Sequence, residues 1–97
     1  MNSTKELKDI LADLGFSSIE KAASQHAKLF LMGKISKYQA EDNFYINKYS
    51  TDFETFSKKV SESPIEDFEH DDDLMDWEFA VTALKNLQRD IEVLENV

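Results

Sequence analysis

The chain has 97 residues, a formal net charge of −9, 41% hydrophobic and 32% charged residues, two glycines, one proline and no cysteine. That length holds one small domain, residues 1–97, with no room for a second independent core. Absence of cysteine excludes disulfide frameworks, thiolate zinc or iron–sulfur sites and cysteine nucleophiles, while so few glycines and prolines exclude the many tight turns of a small all-β fold.

Helix signals follow one another along the chain. Ser3-Thr4-Lys5-Glu6 has the form of a capping box, and Leu7, Ile10, Leu11 and Leu14 behind it recur at i, i+3, i+4 and i+7. Gly15 supplies a left-handed stop. A second box, Ser17-Ser18-Ile19-Glu20, opens a long helix expected over about 18–48. Ala23, Ala27, Leu31, Ile35, Tyr38, Tyr45 and Tyr49 lie along its one drifting apolar face, and Gly33 marks a possible kink. Asp42 falls on that stripe, so it is expected to face water, a neighbouring lysine or another chain. A third box, Thr51-Asp52-Phe53-Glu54, starts a short helix with Phe53, Phe56 and Val60 inward, and Ser61-Glu62-Ser63-Pro64 ends it.

An acidic loop is expected over 62–73, with Ile65 and Phe68 as apolar anchors. The last helix, 74–95, carries the seam Trp77, Ala80, Leu84, Leu87, Ile91 and Leu94, spaced by three and four over almost three heptads. The fold class is all-α: two long helices forming a hairpin or bundle, plus two short ones. Eleven aromatic residues exceed what two thin seams cover, so dimerisation is expected to complete the bundle.

Charge divides the chain. Residues 1–61 carry nine lysines against eight acids, a near-neutral stretch, whereas residues 62–97 carry Lys85 and Arg89 against twelve acids. Nine of those acids lie between Glu62 and Glu78, with no Lys or Arg among them. Such a segment repels phosphate backbones, which argues against direct nucleic-acid binding and suits a basic protein partner. No apolar run approaches a membrane span, and the polar start Met1-Asn2-Ser3-Thr4 is unlike a signal peptide, so a cytoplasmic protein is expected.

Little in the residues points to catalysis. No glycine-rich phosphate loop is present, nor the turns that build an oxyanion hole, and twenty acids make any one carboxylate pair unspecific. The expectation is a protein with no enzymatic activity and no cofactor. Asp67 to Glu78 approaches the spacing of a calcium loop, but Asp72 stands where the sharp turn needs glycine. His26 and His70 are the two imidazoles; a metal site would need them to meet in space. Phe44, Tyr45, Tyr49, Phe53 and Phe56 could stack on bases, yet their helical spacing suits core packing better.

Three segments in order, Lys37-Tyr38-Gln39-Ala40-Glu41, then Lys48-Tyr49 with Phe53 and Phe56, then Glu66-Asp67-Phe68-Glu69 with Asp72 to Glu78, resemble small acidic all-helical antitoxins of bacterial and archaeal toxin–antitoxin pairs. The resemblance spans about residues 30–95. It implies an inhibitor that masks a basic, nuclease-type toxin with carboxylates and a few apolar anchors. The residues suited to that contact are Glu66, Asp67, Phe68, Glu69, Asp71, Asp72, Asp73 and Asp76. Two other readings stand beside it: a structural or adaptor homodimer of helical hairpins, and an acidic module that binds a divalent cation.

Overall fold

The computed structural model describes residues 5–97, and these form four helices in chain order with no strand among them. They are α1 (Leu7–Asp13), α2 (Ile19–Tyr49), α3 (Phe53–Glu62) and α4 (Phe68–Glu95). The all-α class expected from the periodicity is what the chain adopts. Each helix start is set by a side chain that accepts or donates at its first turn. At α1 the Glu6 amide donates to Asp9 at 2.9 Å, while Ser3, the expected cap, lies outside the described residues. At α2 the Ser18 hydroxyl accepts from the Lys21 amide at 3.0 Å, and at α3 Asp52 accepts from Thr55 at 2.8 Å. Both caps fall one residue after the Ser17 and Thr51 positions that the capping boxes suggest.

The long helix α2 runs unbroken through Gly33. Ser50, in the left-handed region with φ 53°, ends it, and Gly15, with φ 97°, turns the chain after α1. The start of α4 differs most from expectation. Asp67 caps it by accepting from the His70 amide at 3.2 Å, so the helix begins at Phe68, six residues before 74, and the loop shrinks to Ser63–Asp67. The physical reason is favourable charge: Glu69 and Asp71 lie in the first turn, where the helix dipole welcomes carboxylates. A run of acids, read as a solvated loop, is here a helix N-terminus.

Packing is that of an antiparallel hairpin. α2 and α4 lie side by side, Ser24 Oγ donating to the Leu94 carbonyl at one end and Trp77 to Asp42 towards the other. At the connected end α3 folds against both. Trp77, Ala80 and Leu84 are buried on the α4 seam, joined by Phe56 of α3. The molecule is a rod, 76 × 24 × 17 Å, with a Cα radius of gyration of 20.9 Å. A compact chain of this length would have a radius of about 12–13 Å. Much apolar surface stays open as a result. Leu7, Ile10 and Leu14, the α1 stripe, are exposed, and so are Ile65 and Phe68, which therefore anchor nothing within the hairpin.

Candidate functional site

The connected end of the rod is built on Trp77. Its ring is fully buried, with Tyr45 stacked at 5.5 Å, Phe56 tilted at 5.4 Å and Phe53 edge-on at 5.6 Å. Tyr49 stacks on Phe56 at 4.1 Å, and His70 meets both edge-on, at 5.5 and 5.8 Å. Aromatic pairs of this geometry add roughly 0.5–1.5 kcal/mol each beyond area burial. The helical spacing of Tyr45, Tyr49, Phe53 and Phe56 thus serves core packing, whereas Phe44, expected with them, stays exposed and meets the Tyr45 ring edge-on at 5.1 Å.

Two carboxylates reach into this cluster. Asp42 accepts from the Trp77 indole N–H at 2.7 Å. The expectation that Asp42 faces water, lysine or another chain is corrected: one carboxylate oxygen is taken by the buried indole, and the other accepts from Gln39 Nε2 at 3.4 Å. Asp73 gathers the second set, accepting from Lys48 Nζ at 2.6 Å and from the Tyr49 hydroxyl. Burial alone would raise the Asp73 carboxyl, but the bonds from Lys48 and Tyr49 outweigh it and hold it below the ordinary range. Burial and the same carboxylate push the Tyr49 phenol up to about 12. Hydrogen bonds to Asp73 and to Glu69, the latter at 2.9 Å, raise the Lys48 ammonium above its usual value.

These contacts sort the eight residues singled out for partner binding. Asp73 is turned inward, its side chain only 15% exposed, and so is withdrawn from the surface. Asp67 is spent on the α4 cap and on His70, 3.4 Å away, and Glu69 on Lys48. Asp71 is half-buried in the first turn. Glu66, Phe68, Asp72 and Asp76 stand in solvent.

Two further residues join them that inspection of the acids alone misses. Phe68, Met75 and Phe79 are 74, 70 and 65% exposed and recur at i, i+7 and i+11, one line along α4. Asp72 and Asp76 lie beside that line, and Phe79 meets Tyr38 of α2 edge-on at 5.8 Å. The period was present in the sequence. The helix start at Phe68, which makes the three residues one line, was not.

The cation readings lose their geometry. From Phe68 onward the would-be calcium loop is helical, and a helical backbone cannot wrap an ion. His26 sits beside Phe30 and Leu94 near the far end of the rod, whereas His70 packs on Tyr49 and Phe56, so the two imidazoles do not meet. Among the described residues no group of three or more His, Asp or Glu is arranged to hold a metal. Among them also, no helix is long and apolar enough to cross a membrane.

Compared with known proteins, the chain matches no family model, no curated protein and no solved structure.

Proposed function

We propose that the protein is a non-enzymatic interaction module, antitoxin-like in action, which neutralises a basic, nuclease-type protein through the acidic face of α4. The observation that carries this reading is the line Phe68, Met75, Phe79 with Asp72 and Asp76 beside it. These large apolar side chains interleaved with carboxylates stand mostly outside the hairpin core, with Phe79 touching α2 through Tyr38. Together they supply anchors for a partner's pockets and a negative field for its approach.

The test is co-expression with the product of the adjacent gene, followed by association kinetics at two salt concentrations. Replacing Asp72, Asp76 and Glu66 by Asn, Asn and Gln should slow association several-fold at low salt, and the wild-type rate should fall as salt rises. Asp73 is left in place because it holds Lys48 and Tyr49. Phe68→Ala should act on dissociation instead, raising the off-rate about tenfold or more. A neutralised variant that binds and protects as wild type would reduce these acids to a solvated face.

A further inference from the structure

The rod has two unlike ends. Residues 41–79, which form the connected end, carry three lysines against thirteen acids, a net of −10. The remaining residues carry eight Lys and Arg against seven acids, a net of +1, and the two sum to −9. Packing follows the same division. α3 covers the seam at the acidic end and buries Phe56 and Trp77. At the open end α2 and α4 have only each other along the seam, and Ala23, Ala27, Phe30, Leu31, Val93 and Leu94 line a groove of about 640 Å³. Phe30 and Val93 are 65 and 66% exposed there. His26 and Asp90 are the groove's two polar residues.

We infer that this groove is closed by the same groove of a second copy, giving a two-fold dimer in which the open ends overlap as a four-helix bundle and the acidic ends point apart. Three features converge on a second copy. Self-association is opposed by nine negative charges per chain, yet outside residues 41–79 the net charge is only +1. Two copies that meet here escape the repulsion of the acidic ends and have only the Asp90 of each groove to accommodate. The acidic ends then stand many Debye lengths apart and are screened from one another, the length being about 10 Å at 0.1 M salt. Area fits a small interface. The 31 residues of α2 span about 46 Å. Half of the α2–α4 face, 24 Å wide, is therefore about 550 Å² per partner, the low end of specific contacts and in keeping with a dimer that forms at micromolar concentration. Finally, a helical hairpin lacking a covering layer is half of a four-helix bundle, and a two-fold axis lets one patch satisfy itself.

The inference does not rest on the toxin-binding reading, because it is tested with the chain alone. Light scattering should return close to twice 11.2 kDa at tens of micromolar. The double variant Phe30→Asp, Val93→Asp should return a single chain mass, with its dimer affinity down about 100-fold or more. Both positions are exposed in the hairpin, so far-UV helicity and the fluorescence of the one tryptophan at the opposite end should hold. The absence of native cysteine permits a placement test. A short thiol cross-linker should join chains carrying Val93→Cys and leave Asp72→Cys chains single. A wild-type monomer, as when α1 folds onto the groove instead, would overturn the inference. So would a dimer that survives the double variant, or one cross-linked through Asp72→Cys.

Discussion

Trp77 and Asp42 form one unit at the residue scale. A buried indole N–H without an acceptor costs on the order of 1–3 kcal/mol, and Asp42, 35 residues away in sequence, removes that cost at 2.7 Å. Trp77→Phe keeps a ring and loses the donor, so it should lower unfolding free energy by about 1–3 kcal/mol in denaturant melts. Asp42→Asn keeps an acceptor and should cost less, and the two changes together should be less than additive. Asp73 gives a second test, in pH. Its folded carboxyl lies below the ordinary value, so its contribution is present above the unfolded pKa of about 4 and fades as pH falls through the folded one. Tyr49, raised to about 12, behaves in the opposite sense: its contribution is present below about 10 and is lost as pH climbs towards 12. Asp73→Ala should therefore destabilise by about 1–2 kcal/mol at pH 7, with the gap to wild type narrowing below pH 4. A gap that stayed constant across the acid limb would mean that Asp73 acts through packing alone. The sequence made the anomaly at Asp42 visible, a carboxylate on an apolar stripe. It held no sign of the donor, because a hydrogen bond between positions 42 and 77 exists only once α2 and α4 are in register.

At the element scale, local patterns were the legible part. The caps near Ser17 and Thr51, the Gly15 turn and the heptad seam of α4 are properties of a few consecutive residues, and the helices followed from them within a residue or two except at two starts. α1 is capped at Glu6, three residues after the expected Ser3, and α4 begins six residues early. The larger difference is the α4 start. Acids carry no apolar period, and Pro64 nearby signals a break, so positions 68–73 read as loop. The inward residues of that turn are His70 and Asp73, held by aromatic and hydrogen-bond partners on α2 and α3 rather than by hydrophobicity. Gly33 offers a test of how α2 is held. It sits inside a continuous helix with no atom within 4 Å of where a Cβ would stand. Gly33→Ala should raise stability by about 0.5–1 kcal/mol through helix propensity alone. Thermal melts showing a loss would mean that the glycine serves a bend or a contact made only in an assembly. Gly15→Ala should destabilise, because φ 97° strains any side chain.

The whole molecule follows from where the third helix packs. α3 doubles the cover at one end of a long hairpin and leaves the other thin, and the acids accumulate at the covered end. The length of α2 and the surplus of aromatic residues were readable from sequence. Which end would be left open was not, since that depends on α3 folding back over Tyr49 and Trp77. A rod with one near-neutral, open end and one acidic end makes a prediction about size in solution. If two copies overlap through their open halves, the particle is longer than either rod: 76 Å for one chain becomes about 110 Å for the pair, with the two-fold axis at its centre. Full side-by-side pairing would instead keep the length near 76 Å and double the width. Small-angle scattering distinguishes these outcomes through the maximum dimension. The end-overlapped length should also persist from 0.05 to 0.5 M salt, because apolar contact holds the bundle while the acidic ends, lying far apart, scarcely interact. A maximum dimension that expands or collapses with salt would place the acidic ends within each other's field, which the overlapped arrangement does not allow.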